Sequence, residues 1–236
     1  VTEGNGALVY APDPTETFDD AGTTYARIIT LKHNGQYNGT LIATFDQLVE
    51  VNGRQVYPIY RSTDNGETWN LIANVYDNMF GTTRTSQPDL FEVPQQVGNL
   101  KAGTLLLAGN IFPEDKSSTR IVIWKSEDRG ETWSYLSTVD TGGPYDYDPS
   151  PGSTTTTIWE PFLYLAAYGD LVCAYSDERQ KNDGILQALV LRKSTDGGQT
   201  WGPLSNIAGI PNNNDRPGMV TAAELPNGKF ITTYEV

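Results

Sequence analysis

Glu160 and Glu235 are the two residues of this 236-residue chain with the most chemistry to offer. Glu160 opens an apolar run, Glu160-Pro-Phe-Leu-Tyr164, and Glu235 closes another, Lys229-Phe-Ile-Thr-Thr-Tyr-Glu235. Two carboxylates over one pocket are what glycoside hydrolysis requires: one, protonated, assists the leaving oxygen, and the other, ionised, attacks carbon or activates water. Mutual repulsion by itself raises the pKa of one of them. As a pattern alone, the pair reads equally well as two hydrated rim side chains, so the elements that carry them must decide.

Those elements repeat. Ser62-Thr-Asp-Asn-Gly-Glu-Thr-Trp69 recurs as Ser126-Glu-Asp-Arg-Gly-Glu-Thr-Trp133 and Ser194-Thr-Asp-Gly-Gly-Gln-Thr-Trp201, with starts 64 and 68 residues apart. A period of that size marks an array of supersecondary units. Each octet follows a short apolar run ending in Arg61, Lys125 or Lys193, so a strand leads into a turn. There Asp64, Asp128 or Asp196 accepts backbone N–H bonds, and Gly66, Gly130 or Gly198 takes positive φ. Trp69, Trp133 and Trp201 then land on the next strand, large enough to fill the gap between neighbouring sheets. One carboxylate per turn is too few for a calcium site of six to eight oxygens, so the octets read as scaffold.

The spacing predicts four strands per unit. Glycine-centred turns at Gly39, Gly103, Gly169 and Gly228 join the first strand to the second, and the octet joins the third to the fourth. Antiparallel meanders of this kind, set radially, make an all-β propeller. The whole chain, 1–236, reads as one domain, with blades over about 25–80, 87–140 and 159–207 and a partial fourth over 216–236. Ala7 to Tyr10 is a further strand candidate, followed by a Pro/Asp/Thr-rich connection through Asp19 and Asp20. Three and a half blades are too few to close, so the chain is expected to be part of a longer propeller. Unclosed edges would favour aggregation.

Strand direction then locates the chemistry. Residues that begin first strands share a rim with residues that end second strands, opposite the octets. First strands open at Tyr25-Ala-Arg-Ile28, Gln87-Pro-Asp-Leu90, Glu160-Pro-Phe-Leu163 and Arg216-Pro-Gly-Met219. The recurrent proline fits the first residue of a strand, where no ladder donor is needed. Second strands end at Asp46, Asn110, Ser176-Asp177 and Glu235. That rim is polar and acidic, and it brings Glu160 and Glu235 over one funnel.

Composition narrows the partner. A net charge of −13 argues against nucleic acid and anionic membranes, which call for clustered Lys and Arg, and favours a neutral, hydroxyl-rich ligand, which for the glutamate pair above would be a poly- or oligosaccharide. No apolar run approaches membrane-spanning length and the N-terminal stretch lacks a charged and apolar signal segment, so Val1 reads as a mature start. The single Cys173 excludes an intramolecular disulfide, and its apolar surroundings suggest a buried thiol. His33, the sole histidine, falls near a turn of the first blade away from the rim, so no Ser-His-Asp triad forms there. No zinc spacing and no phosphate-binding Gly-rich loop occur; neither a metal nor a cofactor is expected. A monomer is expected.

The octets resemble the Asp-box repeats of sialidase-like propellers. More specifically, Trp159-Glu-Pro-Phe-Leu-Tyr164, Tyr175-Ser-Asp-Glu-Arg179, and Asp215-Arg-Pro-Gly-Met219 leading to Thr233-Tyr-Glu235 resemble the family-93 glycoside hydrolases, sialidase-fold exo-arabinanases of filamentous fungi. The resemblance implies six blades in the full protein, an extracellular location, retention of configuration and release of arabinobiose from arabinan ends. It implies Glu160 as acid/base and Glu235 as nucleophile. Arg27, Asp46, Trp159, Asp177, Asp215 and Arg216 are the candidate substrate contacts.

Other readings stay open. Arg27 and Arg216 either donate to substrate or pair structurally with Asp46 or Asp215. The loop from Asp140 to Thr157 must cross the active face, where Tyr145 and Tyr147 either stack on sugar rings or merely coat the surface, and Asp146 and Asp148 are too few for calcium. A true sialidase would need an arginine cluster and a Tyr/Glu nucleophile pair. A non-catalytic carbohydrate- or protein-binding propeller is the reading from a different class.

Overall fold

The computed structural model describes residues 7–11, 22–47, 50–150, 152–211 and 214–236. The expected connection through Asp19 and Asp20 lies outside the described residues. Three four-stranded antiparallel sheets follow one another: β1 (Thr23–Thr30), β2 (Leu41–Gln47), β3 (Tyr57–Ser62), β4 (Asn70–Val75); β5 (Arg84–Glu92), β6 (Leu105–Phe112), β7 (Thr119–Ser126), β8 (Ser134–Gly142); and β9 (Ile158–Leu165), β10 (Leu171–Asp177), β11 (Ala188–Ser194), β12 (Ser205–Ala208). The hairpin β13 (Gly218–Glu224) and β14 (Phe230–Glu235) begins a fourth. Each sheet is a meander in sequence order, and the first strands β1, β5, β9 and β13 pack in succession. Among the described residues this is the all-β propeller arrangement of radial blades, without closure.

The core lies between blades. Every residue of β6 is buried, because the second sheet is covered on both faces and a strand so placed reads as a continuous apolar run. β1 instead alternates half-buried and exposed residues, having one packed face. Ile42, Tyr57 and Ile59 meet Leu105, Leu107 and Trp124 in one interface, and Leu106, Ile121 and Ile123 meet Leu171, Cys173 and Tyr175 in the next. Tyr57 reaches furthest. Its hydroxyl lies 2.5 Å from the Asn110 carbonyl and 2.8 Å from that of Ser86, and accepts the Ser86 N–H. Gly109 makes room for it, since a Cβ there would sit 2.4 Å from the Tyr57 oxygen.

The octets form the expected turns at the far end of each sheet. Ser62 Oγ donates to Asp64 at 2.7 Å and accepts the Gly66 N–H, while the Thr68 N–H and hydroxyl both donate to Asp64. The same set recurs at Asp128 and Asp196. These donors hold the Asp64 and Asp196 carboxyls down to about 2. Each indole stays half-buried rather than fully enclosed; Trp133 packs against the interface with the first blade, and Trp201 Nε1 donates to Ser137 of the second.

Two expectations are corrected. Ala7 to Tyr10 form no strand, because Tyr10 stacks flat on Phe45 of β2, a contact with the face of the sheet rather than a ladder along its edge. The proline alignment also fails in the last unit. Every first strand carries a β-bulge, with register shifts between Thr24 and Arg27, Ser86 and Asp89, Trp159 and Phe162 (opposite Ser176 and Ala174 of β10), and Gly218 and Thr221. A non-glycine residue at positive φ marks each bulge: Tyr25 (51°), Gln87 (59°), Glu160 (59°) and Met219 (50°). Met219-Val220, not Arg216-Pro217, is therefore the counterpart of Glu160-Pro161. Pro88 and Pro161 are tolerated because they lie inside bulges, where the ladder is interrupted, rather than at strand starts.

Candidate active site

The four bulges and the second-strand ends at Asp46 and Glu235 surround an open cavity of about 960 Å³, with the ends at Asn110 and Ser176 buried behind its wall. Register fixes the second-strand set: Asp46 stands opposite Thr24, Asn110 opposite Ser86, Ser176 opposite Trp159, and Glu235 opposite Gly218. Glu235 thus occupies in its blade the place of Asp46, Asn110 and Ser176 in theirs. Glu160 and Glu235 both line the cavity, together with Asp46, Trp159, Asp215 and Arg216.

The left-handed bulge turns each backbone N–H out of the ladder and toward the neighbouring blade. The Gln87 N–H donates to Asp46 at 2.7 Å, the Glu160 N–H to Gln87 Oε1 at 3.0 Å, and the Met219 N–H to Glu160 Oε2 at 2.8 Å. Glu160 collects three donors: Tyr25 Oη at 3.1 Å on Oε1, and Ser176 Oγ at 3.2 Å with the Met219 amide on Oε2. Burial, and next the Glu160 charge, push the Tyr25 hydroxyl well above its ordinary value, so it stays protonated.

Asp46 is a second engaged carboxylate of the cavity. It accepts from Gln87, from Thr24 at 3.3 Å and from Ser86 at 3.4 Å, yet burial outweighs these donors and raises it to about 7. Asp89 is likewise raised by burial, to about 6, against the Leu163 N–H and Arg27.

Two expected contacts point elsewhere. Arg27 pairs with Asp89 at 3.3 Å, not with Asp46, and is not among the residues lining the cavity. It is two residues past the bulge, so its side chain emerges beyond the re-aimed Tyr25. Asp177 is fully buried and bound to Arg179 at 2.6 Å. It follows Ser176 by one residue, and one step along a strand reverses the face. Arg179 and Arg192 continue this network to Asp140, which hydrogen bonds from Arg179 and the Tyr175 hydroxyl hold well below the carboxylate range despite its burial.

Glu178 is the residue that the rim argument missed. Fully buried, it accepts from Trp159 Nε1 at 2.9 Å, Arg216 Nη2 at 2.5 Å and Lys181 Nζ at 3.2 Å, and from the Thr155 hydroxyl. Arg216 pairs with it rather than with Asp215, and lies over the Tyr147 ring at 5.1 Å. Glu178 therefore sets two walls of the cavity from behind. The only sequence signal was its place in Tyr175-Ser-Asp-Glu-Arg179.

The loop from Asp140 does cross this face. Tyr145 has its ring stacked on Phe112 at 3.8 Å and its hydroxyl 3.1 Å from Ser86 Oγ, so it forms fixed wall, while Tyr147 stays 67% exposed. Among the described residues no cluster of His, Cys, Asp and Glu has the makings of a metal site.

Residues 33–235 match the BNR repeat-like domain family. A Penicillium chrysogenum α-L-arabinanase, solved with arabinobiose, superposes with a TM-score of 0.86 at 38% identity over 97% of this chain and 61% of that one. The GH93 α-L-arabinofuranosidase of Fusarium graminearum with arabinobiose gives 0.81 at 35% identity over 90% of this chain and 56% of that one. This chain thus spans about three-fifths of the length of these enzymes. The NanB sialidase of Streptococcus pneumoniae, at 19% identity and a TM-score of 0.50, shares the fold.

Proposed function

The chain belongs to the BNR repeat-like family, and we propose that it carries the catalytic pair of a retaining glycoside hydrolase that removes arabinobiose from the ends of α-1,5-linked arabinan. The observation that carries this reading is the placement of Glu160 and Glu235 on one cavity, with Glu160 held by Tyr25, Ser176 and Met219. The similarity to the two fungal enzymes solved with arabinobiose supports the substrate class.

The roles follow from hydrogen bonding, and they reverse those implied by the resemblance. Both Glu160 oxygens are used as acceptors, which suits an ionised carboxylate. In the proposed reaction a Glu160 oxygen attacks the anomeric carbon as Glu235 transfers its proton to the departing glycosidic oxygen. Glu235, now ionised, takes a proton from water, and that water displaces Glu160 from the glycosyl ester. Arg216 and Trp159, both fixed by Glu178, hold sugar hydroxyls and a sugar face. We take the protein to act as a secreted monomer, since its substrate is a polymer.

Digestion of linear arabinan, followed by chromatography and by NMR of the first anomer formed, tests this. Arabinobiose of retained configuration is expected. Free sialic acid from a sialoside with arabinan untouched would replace the reading with a sialidase, and binding without cleavage would leave a carbohydrate-binding propeller.

A further inference from the structure

Three residues from three different blades close a loop of hydrogen bonds. Glu160 N–H donates to Gln87 Oε1 at 3.0 Å, Gln87 Nε2 donates to Tyr25 Oη at 3.3 Å, and Tyr25 Oη donates to Glu160 Oε1 at 3.1 Å. All three sit at the positive-φ positions of their bulges, at φ values of 59°, 59° and 51°.

The direction of each bond is fixed by the one before. A backbone N–H can only donate, so the Glu160 amide requires the carbonyl end of the Gln87 side chain. That choice turns the Gln87 NH₂ to Tyr25. The phenol oxygen, already accepting from Gln87, has one proton to give and gives it to Glu160. Gln87 itself is held on its other side, its own N–H donating to Asp46. It is buried, 5% exposed, so solvent does not compete for these groups.

We propose that Gln87 is a positioning residue for catalysis: through its carbonyl it anchors the Glu160 backbone, and through its amide it points the Tyr25 hydroxyl at the Glu160 carboxylate. This rests on Glu160 being one of the reacting carboxylates. Gln87 need touch no substrate. Its part is to ensure that the attacking oxygen is aimed and solvated by the same phenol in every turnover.

Gln87→Glu isolates the amide donor. The new side chain keeps an acceptor for the Glu160 N–H, but when ionised it has nothing to donate to Tyr25 and instead captures the phenol proton, leaving Glu160 without it. Asp46 from β2, Glu160 from β9, Tyr25 from β1 and Tyr145 from the crossing loop are the titratable groups around it, and burial together with the Glu160 carboxylate favours protonation of the newcomer in mild acid. Once protonated, the substituted side chain has an O–H to offer Tyr25, and the donor is restored.

The test combines kinetics and thermal melting of the full chain for wild type, Gln87→Glu, Tyr25→Phe and the double variant between pH 5 and 8. Gln87→Glu is expected to lower kcat about ten- to a hundredfold at pH 7 with KM little changed, the size of losing one hydrogen bond to a charged group, and to recover as the pH falls. In the Tyr25→Phe background it should have little further effect on kcat or on Tm. A deficit that ignores pH, or effects of the two substitutions that simply add, would overturn the wiring. Melting needs no substrate, so it judges the Tyr25–Gln87 coupling even if arabinan is not cleaved, an outcome that would sink the catalytic role and the reading above it.

Discussion

The Tyr25 hydroxyl donates to Oε1 of Glu160 at 3.1 Å across 135 residues of chain, joining the first blade to the third over the mouth of the cavity. The contact exists because both residues stand at left-handed bulge positions, which re-aim side chains that a regular strand would send elsewhere. Removing the hydroxyl in Tyr25→Phe leaves Glu160 two donors, Ser176 and Met219. Turnover of arabinan should fall about ten- to a hundredfold, with KM changed less than about threefold. A selective rise in KM would instead place Tyr25 among the substrate contacts.

Glu160→Gln and Glu235→Gln should each lower turnover at least about a hundredfold. Azide separates the two roles. It should rescue Glu160→Ala, taking the place of the nucleophile to give a glycosyl azide of inverted configuration, and should act on Glu235→Ala only after glycosyl transfer, giving retained configuration. The opposite product stereochemistry would restore the roles implied by the resemblance.

Asp46 carries a pH signature of unusual sign. Burial raises it to about 7, above its unfolded value near 4, so the native state binds the extra proton. Stability linked to Asp46 is full below about pH 4 and is lost as pH rises through about 7. Asp89, raised to about 6, acts in the same direction. Asp64 and Asp196, held at about 2, act in the other: their contribution is present above pH 4 and disappears as pH falls through 2. Asp46→Asn should therefore flatten the loss of Tm between pH 5 and 8. An unchanged slope would remove Asp46 as its source.

Arg216 is the partner whose loss should hurt most in the walls of the cavity. Glu178 is fully buried, and Arg216→Ala would leave its charge to Lys181, Trp159 and Thr155. A destabilisation of about 3–5 kcal/mol is expected, as when one member of a buried pair is removed. Arg216→Ala combined with Glu178→Gln should regain part of it. Chemical denaturation measures both, and equal stability of single and double variants would show that the pair is solvated.

Trp133→Ala should cost about 2–3 kcal/mol, less than the 3–5 typical of a fully buried aromatic, because its indole is only half-buried at the interface of the first two blades. An unaltered midpoint in denaturant would refute its packing role.

Much of this organisation is local, and so was legible in the chain. The octets, the turns at Gly39, Gly103, Gly169 and Gly228, and the second-strand ends at Asp46, Asn110, Ser176 and Glu235 obey short-range rules of turn chemistry and strand alternation. These determine four-stranded blades and put Glu160 and Glu235 on one rim. Tertiary structure decided the rest. A bulge adds one residue to a strand and so breaks the two-residue period, which is why Met219 and not Arg216 matches Glu160. The partners of Glu160, Arg27 and Arg216 lie 135, 62 and 38 residues away on other strands, at separations no local pattern encodes. Which acid each arginine meets, and which oxygen each hydroxyl faces, is set only when neighbouring blades pack and every buried donor has to find an acceptor.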